Sequence, residues 1–190
     1  MRRRMLISFL LTLVLAFPCH ALSIGGVEPP DRLKAGKTEL LLNGAGIRSK
    51  AFLKLYVGSL YLTKRQSSHT AIIEADEAMA IRINIISSII TSDMFIENTK
   101  AGFTRSTNGN TAPLQSRIDM LLAAFKDKIK KGDVFDLIYI PGTGTQIYRN
   151  GVLQNTVEGV DFKKALFGVW LIDKPAHGCE PLRTGMLGLS

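Results

Sequence analysis

Apolar residues change their spacing several times along this chain, and each change marks an element. Residues 38–46 and 51–62 are aliphatic and aromatic and predict two strands, with a bend at Ser49-Lys50 between them. Residues 67–75 predict a short helix. Residues 79–87 alternate weakly and end in a β-branched run, which predicts a strand. The period then shifts. Ser92 and Asp93 are suited to cap a helix that runs to about Arg105. Asn, Gly and Pro make residues 107–113 a loop. Leu114, Ile118, Leu121, Leu122, Phe125 and Ile129 recur at spacings of three and four and define one apolar helix face. Lys126, Lys128, Lys130 and Lys131 would close that helix as solvated charges, with Gly132 as its C-cap.

Residues 133–140 and 145–150 predict strands joined by Pro141-Gly142-Thr143-Gly144, and Asn150-Gly151 signals a hairpin into residues 152–157. Phe162, Leu166, Val169 and Trp170 form the stripe of a further helix. A last helix follows Pro181 and presents Leu182, Met186 and Leu189. Strands, helices, strands and helices in that order predict an α+β domain around an antiparallel sheet.

The first residues do not belong to that domain. Arg2, Arg3 and Arg4 precede an apolar run over residues 5–17, Pro18 breaks it, and Cys19-His20-Ala21 ends in a small residue. This three-part pattern predicts a secretory signal peptide over residues 1–21, cleaved after Ala21. The run is shorter than the roughly 20 apolar residues that span a bilayer. A lipid anchor at Cys19 is disfavoured by Pro18 beside it. The expected product is one exported, periplasmic domain, residues 22–190, with no transmembrane segment.

Processing changes the charge and the thiol count. Loss of three arginines takes 24 basic residues to 21 against 16 acidic ones, so the net charge falls from +8 to about +5. No basic run interleaves with aromatics, so nucleic acid is not an expected partner. Cys179 remains without an intramolecular disulfide partner, and His69 and His177 lie far apart, so no metal or other cofactor is expected. A Cys179–His177 nucleophilic pair has poor geometry from near-adjacent positions.

Three features carry candidate chemistry. The turn Pro141-Gly142-Thr143-Gly144-Thr145 lacks the Gly-Lys-Ser/Thr ending of a phosphate loop and leads into a strand, so it reads as a turn. Asn98 shares a helix face with Met94, Phe95, Ala101 and Gly102. It is either a core amide bonded to backbone or a polar handle in a ligand pocket. Arg48 follows Gly44-Ala45-Gly46 in an otherwise apolar passage, eight residues before Tyr56. Facing strands could bring the two together, and a guanidinium with a phenol suits a carboxylate. Alternatively, Arg48 is a solvated turn residue.

Residues 42–62, 92–103, 130–151 and 160–175 together resemble the chalcone isomerase-like superfamily, in its bacterial secreted branch. The resemblance implies an open-faced β-sandwich, a large antiparallel sheet backed by helices with an apolar cleft between them. The superfamily holds isomerases that close a flavanone ring, fatty-acid-binding proteins and non-catalytic relatives. Arg48 matches the arginine shared by isomerases and fatty-acid binders. Tyr56 stands where isomerases carry a threonine and the fatty-acid binders a tyrosine that holds the lipid carboxylate. Asn98 matches a pocket asparagine. Thr91 stands where the isomerases carry a catalytic tyrosine. The resemblance therefore implies binding of a fatty acid or similar small amphipathic carboxylate by Arg48, Tyr56, Asn98 and Thr91. An intramolecular lyase acting on an enone, or an envelope interaction module without a pocket, are the alternatives.

Overall fold

The computed structural model describes residues 23–173 and 178–189. The leader expected over residues 1–21, including Cys19 and His20, lies outside them, as does His177. Among the described residues, seven strands form one antiparallel sheet in chain order: β1 (Arg32–Ala35), β2 (Thr38–Lys50), β3 (Leu53–Leu62), β4 (Met79–Ile85), β5 (Val134–Ile140), β6 (Gly144–Arg149) and β7 (Val152–Val157). Between and after them come α1 (His69–Glu74), α2 (Ser92–Ser106), α3 (Gln115–Ala123), α4 (Val160–Leu171) and α5 (Glu180–Met186).

Directly paired residues share a face of the sheet. Leu60, Leu62, Met79, Ile81, Ile83, Ile85, Phe135 and Leu137 lie on one face and form the main core with Phe95, Phe103, Phe162, Leu166 and Phe167 from the helices. The sheet curls so that β1 reaches β4 and β5 over the opposite face. There Ala35, Leu40, Tyr61 and Ala80 close a smaller cluster. Central strands are thus covered on both sides, which explains why β3 is buried almost throughout and shows no period-two alternation.

The last helix is seated by glycines. A Cβ on Gly44 would stand 2.2 Å from the Gly185 carbonyl oxygen, and one on Gly46 would stand 2.4 Å from that of Leu182. A Cβ on Gly185 would meet the Ala45 oxygen at 2.3 Å. Backbone therefore lies on backbone where α5 crosses β2. Asn43 Nδ2 donates to the Met186 carbonyl at 2.9 Å and fixes the crossing.

Four sequence expectations change. The β2–β3 turn is Ala51-Phe52, not Ser49-Lys50, because Lys50 still pairs with Leu53. Strand β1 was not expected; its four residues pair with the start of β2 and carry only one fully buried side chain, Ala35. The helix expected to reach Gly132 stops at Ala123, although Phe125 and Ile129 stay buried. The last turn tightens, with the N–H groups of Ala124 and Phe125 donating to carbonyls three residues back, and Arg149 holds the chain beyond it: its guanidinium donates to the carbonyls of Asp127 and Lys128 at 3.1 and 2.7 Å and to the Asp133 carboxylate at 2.8 Å. Ser92 Oγ adds a bond to the Asp127 carbonyl and accepts from Ile129 N–H. Those carbonyls point at side chains instead of up a helix, so the four lysines sit exposed on a loop. Finally, Leu189 lies beyond α5 and is largely exposed, while Leu182 and Met186 are buried.

Candidate functional site

Arg48 and Tyr56 are register partners across β2 and β3, so both side chains leave the same face. They are the next pair on that face after Gly46 and Gly58, against which α5 sits. Each is only 8% exposed. The open-turn alternative for Arg48 is therefore set aside. Both line one cleft with Leu55, Ile90, Met94, Phe95, Val169 and Trp170, and its space including the open mouth is about 540 Å³. The slot itself is narrow, with room for only a few waters.

Each wall has a local reason for its position. Thr91 caps α2 by accepting from Met94 N–H at 3.2 Å, which starts the helix six residues after β4. A Cβ on Gly102 would fall 2.4 Å from Val169 Cγ1, and Ser106 Oγ donates to the Ala165 carbonyl at 2.7 Å. Small residues thus let α2 and α4 cross closely, and that crossing aims Val169 and Trp170 into the cleft.

The polar end of the cleft is built around Tyr56. Trp170 Nε1–H donates to the phenol oxygen at 3.1 Å, and the ring meets Phe95 edge-on with centroids 5.9 Å apart. Burial pushes the phenol well above its ordinary range, and the adjoining Cys179 adds to this. The Trp170 bond and the two guanidinium groups of Arg48 and Arg105 only partly oppose it. Tyr56 therefore stays protonated and keeps a proton to donate. Arg48 donates to the Ser49 carbonyl and lies against Gly178, where a Cβ would come within 2.7 Å of its Nη1. Gly178 also has a φ of +75°, so glycine serves there both for conformation and for room. Cys179 lines the cleft half-buried, and burial raises its thiol despite both arginines. A protonated thiol is a poor nucleophile, and the Cys179–His177 pairing falls outside the described residues.

The other two predicted residues are placed differently. Asn98 lines the cleft at its exposed rim and donates through Nδ2 to the Met94 carbonyl at 2.6 Å. It combines parts of both alternatives, an amide bonded to backbone that also borders a pocket. Thr91 is an exposed cap and is not among the residues lining the cleft.

Sequence analysis missed Arg105. It lines the same cleft from the last turn of α2, and its buried Nε has no hydrogen-bond partner among the described residues. The signal was available: Arg105 is seven residues from Asn98, two helical turns along the same face. Two guanidinium groups, a phenol and an indole N–H thus border a slot that Asn98, Thr99 and Cys179 also line and whose remaining walls are apolar. Such a set can hold an anionic head and bury a hydrocarbon tail. Among the described residues no group of three or more His, Cys, Asp or Glu side chains could hold a metal ion.

Residues 21–188 match the model of a family described as chalcone isomerase-like. Among solved structures, the crystal structure of a fatty-acid binding protein from Arabidopsis thaliana matches with a TM-score of 0.68. The match covers 88% of this chain and 96% of that one, at 17% identity. The curled antiparallel sheet with its helices is thus that protein's fold. No curated protein sequence matches.

Proposed function

Because the chain belongs to the chalcone isomerase-like family, we propose that it binds a fatty acid or a similar small amphipathic carboxylate without chemical turnover. One observation carries this reading: Arg48 and Tyr56, opposite each other on adjacent strands, share a buried polar end of an apolar cleft. The solved structure of a fatty-acid binding protein with the same fold supports it. The carboxylate meets the Arg48 guanidinium and the Tyr56 hydroxyl, and the tail lies along Leu55, Ile90, Met94 and Val169. Charge-assisted bonds at the head supply about 1.5–3 kcal/mol, and each buried CH₂ adds about 0.8 kcal/mol. Binding parts the narrow slot, so Met94 and Ile90 move aside for the tail.

Turnover is not favoured. Thr91, at the position where the resemblance implies a catalytic tyrosine, caps a helix. The single domain of residues 22–190 acts in the periplasm, on the strength of the leader pattern in residues 1–21.

Native mass spectrometry of protein extracted under mild conditions is the test. A bound acid that fatty acid in excess displaces is the expected result. Protein that carries no acid and takes up none on addition overturns the proposal. Amino-terminal sequencing of the periplasmic fraction should begin at Leu22.

A further inference from the structure

Among the described residues three hairpins have two-residue turns, at Gly36-Lys37, Ala51-Phe52 and Asn150-Gly151, and the last two are chemically opposite. Arg149 pairs with Val152 around Asn150-Gly151, and both turn residues take positive φ, which Asn-Gly suits. Lys50 pairs with Leu53 around Ala51-Phe52, and here Ala51 adopts a φ of +52°. An apolar pair therefore occupies a turn whose first position Gly or Asn would fill with less strain. Phe52 is completely exposed and Leu53 about half exposed. Lys50 and Lys54 flank them, also exposed, and no acidic residue occurs from Leu40 to Ile73.

The tip sits at the cleft. Leu55, two residues beyond Leu53, already lines it. The Leu55 carbonyl accepts from Ile86 N–H at 3.1 Å, which lays the loop after β4 alongside β3. That loop carries exposed Ile89 and then Ile90, a cleft wall. Apolar side chains in water, framed by lysines on a projecting turn, match the chemistry of an interfacial insertion, apolar into the acyl boundary and basic against anionic headgroups.

We propose that the β2–β3 tip docks on an anionic phospholipid bilayer and brings the cleft mouth to the membrane surface, where an amphipathic acid passes between bilayer and cleft. The purpose of the docking rests on the binding function proposed above; the docking itself does not. Phe52 and Leu53 enter the interface, and Lys50 and Lys54 meet the headgroups.

Sedimentation of the purified mature protein with vesicles tests this. One set holds phosphatidylcholine alone, the other phosphatidylcholine mixed with phosphatidylglycerol. The protein is expected to pellet with the mixed vesicles and to be released as salt rises. Phe52→Asp combined with Leu53→Asp should cut partitioning at least about tenfold. Lys50→Gln and Lys54→Gln should each cut it roughly fivefold. All four side chains are exposed, so circular dichroism should be unchanged. Protein that stays in the supernatant with mixed vesicles overturns the proposal, as does a Phe52→Asp/Leu53→Asp variant that pellets like its parent. A dimer that this variant abolishes would assign the tip to a second copy of the chain instead. The two proposals fail separately. Arg48→Ala should lose the bound acid and still pellet. A bound acid without vesicle binding sinks the docking alone, and vesicle binding without a bound acid sinks the cleft function alone.

Discussion

Arg48 and Tyr56 stand opposite each other on β2 and β3, and the phenol that faces the guanidinium is held by Trp170 from α4. The pair therefore joins the sheet to the helical layer at the polar end of the cleft. Arg48→Ala is expected to weaken binding of a long-chain fatty acid by about 1.5–3 kcal/mol, roughly 10- to 150-fold. Arg48→Lys should recover only part of this, because an ammonium lacks the planar fork. Titration calorimetry with a soluble fatty acid measures both. Equal affinity in Arg48→Ala and parent would place the head elsewhere.

Arg105 should behave differently from most half-buried arginines. Its Nε already lacks a partner among the described residues. Arg105→Met removes an unsatisfied donor, so the unliganded protein should be unchanged or more stable by up to about 1 kcal/mol. Affinity for the acid should fall about tenfold if the second guanidinium also faces the head. Urea denaturation and calorimetry on the same variant separate the two effects. Marked destabilisation together with unchanged affinity would make Arg105 a structural residue only.

Lys163 gives a pH signature. Its side chain is fully buried, and Nζ donates to the carbonyls of Ile72 and Ile73 at 3.3 and 2.8 Å and to that of Ala75. Burial above all, with Lys164 adding and Asp76, Glu74 and Glu77 opposing, brings the amine down to about 8. Below pH 8 the folded and unfolded chains both hold the proton, and the folded state carries the full cost of the buried charge. Between pH 8 and 10 the folded chain releases it while the unfolded chain keeps it, so stability rises with pH. The stability of the parent relative to Lys163→Met should therefore rise by about 1–2 kcal/mol over that window, allowing for screening. Above pH 10 the trend reverses. Tyr56 and Tyr61 are pushed well up, and Tyr139 up to about 12, chiefly by burial, so the folded state then binds more protons than the unfolded one. A flat difference from pH 8 to 10 would contradict the assignment.

Cys179 reports on occupancy. Its raised thiol predicts slow alkylation by iodoacetamide near pH 7.5 in the mature protein. Because it lines the cleft, a bound acid should slow the reaction further, several-fold. Labelling that is fast, or indifferent to added fatty acid, would separate the thiol from the binding space.

Much of this was legible in the chain, for identifiable reasons. The strand and helix stripes follow from burial that a local period records, as with Phe162, Leu166 and Trp170. The stop at Ala123 was not legible, because the loop beyond it is held through the Asp127 and Lys128 carbonyls by Arg149, 26 positions downstream of Ala123. Arg48 and Tyr56 were legible as chemistry but not as partners, since register belongs to the hairpin and not to either residue. Asn98 drew notice as an amide among apolar neighbours. Arg105 did not, because a cation in a helix's last turn already has a local explanation. Only the resemblance marks Thr91, and its hydroxyl accepts from the backbone of α2.

The seating of α5 also bears on how the protein is made. Asn43 and Met186 meet across 143 positions, and Gly44 and Gly46 receive a helix that lies far along the chain from them. Closing so long a loop comes late and slowly in folding. Gly44→Ala or Gly46→Ala should therefore slow refolding as well as cost about 1–3 kcal/mol or more, as a stopped-flow chevron would show. The sheet can therefore pair before its glycine track is covered, and the α5 crossing forms only once residues 43 and 186 are both in place.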